Sequence, residues 1–159
     1  MSAAARSSAW IEGLLGTGVA AAERTGTGDA AQLLPEERVG QQRWAPKRIA
    51  EFAAGRECAR LAMAALGVTA QPMPVQADRR PRWPEGVVGS ITHCTGFAAA
   101  AVARSGELRS LGIDAEIVGA LEDALWPRVL GDAEREWLSG KPLHERPKWA
   151  TVFFSAKEA

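Results

Sequence analysis

Two carboxylates, Asp114 and Glu116, stand two positions apart in an apolar run, and Gly112 precedes them. Side chains alternate between the faces of a strand, so both carboxylates and the glycine would share one face. Mg²⁺ takes one or two carboxylates from a protein and keeps positions for phosphate oxygens and water. The run therefore predicts either a magnesium site or a strand end that faces solvent.

His93 follows another strand-like run that contains Ser90. A Ser90–His93–Asp114 triad would lack the G-x-S-x-G elbow that usually presents such a serine. A zinc site at His93 would need further ligands from a chain with two histidines and two cysteines. An isolated histidine is usually structural, but beside Arg80 and Arg82 it would instead donate to a phosphate.

Arg56 interrupts the apolar stripe of a predicted helix. The helix spans Lys47–Leu66, with Pro46 at its start and Gly67 at its end. Arg56 falls on the stripe itself, and Arg60 lies at the edge of the stripe. Such interruptions mark a buried ion pair or an anion site, and the pattern leaves both open.

The last residues, Trp149–Ala159, run from apolar to charged and include Lys157 and Glu158. One interpretation is a helix that emerges from the core into solvent. The other is that Glu158 adds a third carboxylate to the Asp114 and Glu116 pair, with Lys157 beside it.

The elements that would position these residues are strands followed by helices. Strand-like runs at Val87–Thr92, Phe97–Ala103 and Leu108–Glu116 are separated by short glycine-containing turns, which predicts an antiparallel meander. Beyond Gly119 the pattern is helical, and Lys148–Ala159 is the last predicted helix.

Composition excludes several classes of protein. The 159 residues include 19 Lys and Arg against 19 Asp and Glu, which argues against a generic nucleic-acid or anionic-membrane binder. A hydrophobic fraction of 47% is typical of a soluble globular protein. No apolar run approaches the ~20 residues of a membrane span. Glu12 and several glycines interrupt the apolar run near the N-terminus, so we expect a cytoplasmic protein without a signal peptide.

Three segments, in order, closely resemble the signature motifs of 4′-phosphopantetheinyl transferases. They are residues 81–94, residues 112–116 and residues 154–159. Residues 51–60 also resemble the family's helix before the first motif, and the resemblance runs from about Leu33 to the last residue. The variant is similar to the enterobactin synthetase component D branch of the larger, surfactin-type class.

The resemblance implies Mg²⁺-dependent transfer of 4′-phosphopantetheine from coenzyme A to a serine of an acyl or peptidyl carrier protein. Adenosine 3′,5′-bisphosphate would be the other product. It leaves open whether the carrier serves fatty-acid, polyketide, nonribosomal-peptide or siderophore synthesis. The rival interpretations are a non-catalytic fragment that binds coenzyme A or a nucleotide, and a Mg²⁺-dependent phosphohydrolase.

The resemblance also implies roles for particular residues. Asp114, Glu116 and Glu158 would bind Mg²⁺ on the pyrophosphate. Glu158 would also deprotonate the serine, and Lys157 would lie beside the phosphates. The residues expected to hold coenzyme A are Arg48, Arg56, Arg80, Thr92 and His93.

The implied fold is α+β, with two similar α/β halves related by a pseudo-twofold axis. Residues 1–118 would form the first half, and residues 119–159 would begin the second. Family members continue beyond the Lys-Glu-Ala element into the strands of the second half. We therefore expect a member that is truncated at its C-terminus and transfers far less than a complete one.

Overall fold

The computed structural model describes residues 6–7 and 11–159. The chain divides into two compact units, the first ending at Ile113 and the second comprising Asp114–Ala159. This division lies close to the predicted boundary after residue 118. The assignment of the units to two pseudo-symmetric halves stays a prediction.

The first unit is an antiparallel sheet of four strands with one long helix on its face. The strand order is β1-β2-β4-β3, so β4 is central and β3 forms an edge. The elements are β1 (Arg6–Ser7), β2 (Val19–Thr25), α1 (Pro46–Ala65), β3 (Val87–Cys94) and β4 (Phe97–Arg104).

The predicted hairpin of β3 and β4 is confirmed. The two strands pair in register from Val87 with Arg104 to Cys94 with Phe97, and a two-residue turn joins them. Gly96 in this turn has a φ of 79°, a conformation that glycine adopts at no steric cost. Alanines fill most of β4 and are buried, so the helix approaches the sheet closely.

The predicted helix is confirmed as α1. Pro46 stands in its first turn, where the missing N–H costs nothing, and Gly67 follows its end with a φ of 72°. Small buried residues on the helix pack against Ala98, Ala100 and Val102 of β4. The alanine-rich contact holds α1 close to the sheet.

The predicted third strand, Leu108–Glu116, is wrong. Within the described chain this segment has no ladder of backbone hydrogen bonds. The Leu108 N–H instead donates to the carbonyl of Arg104 at 3.0 Å in a turn. The Ser90 hydroxyl of β3 contacts the Ile113 carbonyl at 3.4 Å, but one side-chain contact does not pair two strands. Strand alternation therefore does not place Asp114 with Glu116.

The second unit is helical, as predicted. Its helices are α2 (Trp126–Val129), α3 (Asp132–Ser139) and α4 (Arg146–Glu158). Its core contains Leu121, Leu130, Leu138 and Ala150, with Trp149 and Phe153 packed against them. No helix of the described residues is long and apolar enough to cross a membrane.

Candidate functional site

A cavity of about 560 Å³ opens in the first unit beside α1, a size that suits a small-molecule ligand. The N-terminal part of α1, the segment from Val75 to Pro81, and β3 contribute its walls. Four basic side chains line it, namely Arg48, Arg56, Arg79 and His93.

The charges of this cavity are unbalanced. Glu51 is the acidic residue among its lining residues, and it lies 3.8 Å from Lys47. Arg48, Arg56 and Arg79 form no ion pair with a carboxylate in the described part of the chain. Unpaired guanidinium groups around a cavity favour a ligand with negative charges, such as phosphate groups.

One row of α1 and the loop before it supplies much of this wall. Trp44, Arg48, Phe52 and Arg56 recur every four residues, so they lie along one side of the helix. The Arg48 guanidinium carbon lies 4.9 Å from the centre of the Trp44 ring. Trp44 and Phe52 meet edge to face at 5.3 Å. The aromatic rings therefore support the arginine side chains through cation–π contacts.

Arg56 is the most deeply placed of these arginines, with 4% of its surface exposed. Its Nε–H donates to the backbone carbonyl of Met73 at 2.8 Å, and its guanidinium carbon lies 4.2 Å from the Phe52 ring centre. Burial lowers the pKa of Arg56 to about 10. The side chain thus stays charged at neutral pH while it is largely shielded from water.

Arg60 has the other role that the sequence left open. Its Nη1 donates to both carboxylate oxygens of Glu37, at 3.0 and 3.2 Å. The Glu37 side chain has no exposed surface. Arg60 therefore forms the buried ion pair, whereas Arg56 remains for the cavity.

The first motif divides between the cavity and other positions. His93 and Ile91 line the cavity, and Thr92, which alternates with them along β3, is buried without lining it. Arg80 is exposed and pairs with Asp78 at 2.6 Å. This hydrogen bond lowers the pKa of Asp78 below its usual value. Coenzyme A contacts of Arg80 and Thr92 thus stay predictions.

Gly55 permits the close approach of α1 and β3 at the cavity. A Cβ atom on Gly55 would lie 2.7 Å from Cγ2 of Ile91, closer than real contacts allow. Glycine inside a helix costs about 1 kcal/mol relative to alanine, so this position needs a packing reason. The contact with Ile91 supplies that reason.

Sequence reasoning missed three residues of the cavity that matter for its charge or shape. The four-residue spacing could have identified Trp44 and Phe52 in the sequence, because they alternate with Arg48 and Arg56 along one side of a helix. Arg79 gives no such signal, because only the geometry of its turn distinguishes it from Arg80.

In the second unit, Asp114 and Glu116 are half-buried, and Glu158 is exposed at the end of α4. The described residues contain no group of three His, Cys, Asp or Glu side chains that could hold a metal ion. Two carboxylates nevertheless match what Mg²⁺ takes from a protein that binds it with substrate phosphates, so Asp114 and Glu116 fit it chemically. The set of three carboxylates stays a prediction.

Lys157 is also engaged within this unit. Its Nζ donates to the Val129 carbonyl at 2.8 Å and to the carboxylate of Glu134. Glu134 in turn accepts from the Gly131 N–H at 2.7 Å, at the start of α3. Both contacts lower the pKa of Glu134, with the Lys157 hydrogen bond contributing most.

Comparison with known families agrees with the resemblance found in the motifs. Residues 34–103 match the 4′-phosphopantetheinyl transferase N-terminal domain. Residues 110–159 match the 4′-phosphopantetheinyl transferase superfamily. The first match contains the cavity of the first unit, and the second contains Asp114, Glu116 and Glu158.

Two of three individual relatives are also named 4′-phosphopantetheinyl transferases. The chain is 50% identical over 131 residues to the 4′-phosphopantetheinyl transferase Svp of Streptomyces mobaraensis, covering 80% of this chain and 52% of that protein. It is 40% identical to Npt of Nocardia iowensis over 94% of this chain and 66% of the relative. Enterobactin synthase component D of Salmonella typhi is 37% identical, over 71% of this chain and 47% of its own length. The chain thus spans about half to two thirds of these relatives, and it belongs to the 4′-phosphopantetheinyl transferase superfamily.

Proposed function

We propose that the protein transfers the 4′-phosphopantetheine group of coenzyme A to a serine of an acyl or peptidyl carrier protein. The observation that carries the proposal is the basic cavity of the first unit, in a chain of this family. Coenzyme A bears a pyrophosphate and a 3′-phosphate, and Arg48, Arg56 and His93 offer the donors that such groups require.

Arg56 is suited to hold a phosphate in a fixed position. Its Nε is already committed to the Met73 carbonyl, and its guanidinium stacks over Phe52. The planar group is therefore oriented before a ligand binds, so little rotamer freedom is lost on binding. Low local polarity strengthens a charge-assisted hydrogen bond to phosphate.

The second motif and α4 supply the proposed chemistry. The serine oxygen bonds to the phosphorus that carries pantetheine, the pyrophosphate bridge breaks, and adenosine 3′,5′-bisphosphate leaves. Glu158 accepts the serine proton, and Lys157 donates to phosphate oxygens. The Lys157 ammonium group has three N–H donors, and its contacts with Val129 and Glu134 use two of them, so one remains for a phosphate oxygen.

Asp114, Glu116 and Glu158 would hold Mg²⁺, which, when bound, neutralises negative charge on the pyrophosphate. We further propose that the protein has the two-half fold and the cytoplasmic location expected from the sequence. The relatives named enterobactin synthase component D make a carrier protein of siderophore synthesis one of the acceptors to be tested.

An intact-mass assay tests the proposal. The chain is incubated with coenzyme A, Mg²⁺ and an apo carrier protein, and the carrier is expected to gain the mass of one phosphopantetheine group. A matched carrier with alanine in place of its modified serine should gain none. Calorimetric titration of the same chain with coenzyme A measures binding separately from transfer.

The two rival functions give different results in these experiments. A phosphohydrolase would split coenzyme A without any gain in carrier mass. A protein that only binds would give a heat of binding and leave both coenzyme A and the carrier unchanged. Absence of coenzyme A binding would contradict the proposal at its first step.

A further inference from the structure

Arg79 combines an uncommon backbone conformation with a place in the basic cavity. Its φ is 69°, and it is the residue other than glycine with a positive φ in the described part of the chain. Side chains with a Cβ atom disfavour this left-handed region, which glycine or asparagine adopts more readily. An arginine in this conformation therefore lowers the stability of the fold relative to a glycine at the same position.

A tight turn imposes this conformation. The Gln76 N–H donates to the Arg80 carbonyl, and the Arg79 N–H donates to the Gln76 carbonyl, both at 2.9 Å. Val75 and Pro81 pair in an antiparallel bridge just outside these bonds. The backbone of Arg79 is therefore determined by the turn and not by the arginine side chain.

The turn separates two adjacent arginines. Arg79 lines the cavity together with Arg48, Arg56 and His93. Arg80 does not line it, and its guanidinium pairs with the Asp78 carboxylate. Arg79 is thus the arginine of this turn whose charge is added to the cavity.

We infer that Arg79 binds a phosphate group of coenzyme A and helps to determine the specificity of the cavity for it. The inference rests on the proposed function. Arginine at this position strains the turn and adds an unpaired positive charge to a basic cavity. A gain in ligand binding explains why an arginine stands there. It follows that replacing Arg79 should weaken ligand binding without weakening the fold.

The test compares Arg79→Asn and Arg79→Gly with Arg82→Asn by calorimetric titration. Arg82 belongs to the same segment, does not line this cavity, and loses the same charge on substitution. Both Arg79 variants should bind coenzyme A about tenfold more weakly, the loss of a charge-assisted contact at an exposed position. Arg82→Asn should change the affinity less than about twofold. Arg79→Gly should also raise the thermal midpoint, by about 2 °C.

Titration with dephospho-coenzyme A identifies the phosphate concerned. A loss confined to coenzyme A assigns Arg79 to the 3′-phosphate, and an equal loss for both ligands assigns it to the pyrophosphate. Unchanged affinity of the Arg79 variants for coenzyme A, or an equal loss of affinity in Arg82→Asn, would overturn the inference. The proposed function would still stand in that case, as long as the wild-type protein binds coenzyme A. Wild-type protein that fails to bind coenzyme A would overturn both.

Discussion

The Nε–H of Arg56 donates to the backbone carbonyl of Met73 at 2.8 Å, and this bond ties α1 to the segment that carries Arg79. Met73 is fully buried, so its carbonyl has little access to water. The bond satisfies a buried acceptor and orients a guanidinium at the same time. A residue at position 56 must therefore both donate to the segment and present charge to the cavity.

Arg56→Lys should separate charge from geometry at this position. Lysine keeps the positive charge, but a single ammonium group cannot reproduce the planar fork that contacts Met73 and a phosphate together. We expect coenzyme A to bind about tenfold more weakly, and the free energy of unfolding to fall by about 1–2 kcal/mol. Calorimetric titration and urea unfolding measure these changes. Unchanged affinity would mean that charge alone is required. Arg43→Lys, at an exposed position outside the cavity lining, is the matched control.

Glu37 should be essential for the fold of the first unit. Its carboxylate accepts from Arg60, from the Leu34 N–H at 3.0 Å and from the Met73 N–H at 3.1 Å. Glu37→Ala leaves Arg60 without its partner in a largely buried position, which should cost about 3 kcal/mol in urea unfolding. Glu36→Ala, an exposed neighbour, should cost little. Equal effects of the two variants would contradict this account.

The sequence predicts α1 and the β3–β4 hairpin correctly, because residues within or next to each element determine where it begins and ends. Helix α1 begins with Pro46 and ends before Gly67, and the β3–β4 hairpin turns at Gly96, as the residue types predict. The segment Leu108–Glu116 has a strand-like pattern but no ladder, because pairing depends on a partner strand that alternation cannot reveal.

Sequence pattern also fails to predict which arginines line the cavity. Arg56 and Arg60 lie one helical turn apart, and only the position of Glu37, remote in sequence, decides which of them is neutralised. Arg79 and Arg80 are adjacent, and the hydrogen bonds of the turn decide which of them lines the cavity. Such choices depend on tertiary contacts, which spacing along the chain does not encode.

His93 should contribute to the recognition of coenzyme A through its phosphates. It lines the cavity beside Ile91 at the end of β3, where a strand holds its backbone rigidly. We place it on the 3′-phosphate, so His93→Ala should weaken coenzyme A binding about tenfold and leave dephospho-coenzyme A binding nearly unchanged. Combining it with Arg80→Ala tests the remaining expectation for Arg80. An undiminished preference for coenzyme A in the double variant would remove both residues from the 3′-phosphate.

Asp114 should be required for transfer and dispensable for folding. Asp114→Asn removes a carboxylate proposed to hold Mg²⁺, so carrier modification should fall about a hundredfold or more. Asparagine has nearly the shape and volume of aspartate, so the stability of the metal-free protein should change little. Intact-mass kinetics over a range of Mg²⁺ concentrations measure the first effect. Glu122→Gln, at an exposed position of the same unit, should behave as wild type, and near-normal turnover of Asp114→Asn at limiting Mg²⁺ would exclude Asp114 from the site.

The contact between Lys157 and Glu134 should make the second unit sensitive to acid. The Lys157 hydrogen bond, together with the Gly131 N–H, holds the pKa of Glu134 below its ordinary value of 4.5. A carboxyl group whose pKa is lower in the folded state contributes its stability above the unfolded pKa and loses it as the pH falls through the folded pKa. Glu134→Gln should therefore lower the free energy of unfolding near pH 6, and the difference from wild type should shrink below pH 4.5. Glu136→Gln, at an exposed position of α3, should show no such pH dependence.

Hydrogen exchange near pH 6 should also be faster at the end of α4 in Glu134→Gln, because Lys157 anchors this end to α3. A difference in stability that stays constant from pH 6 to acid would mean that Glu134 does not act through its charge.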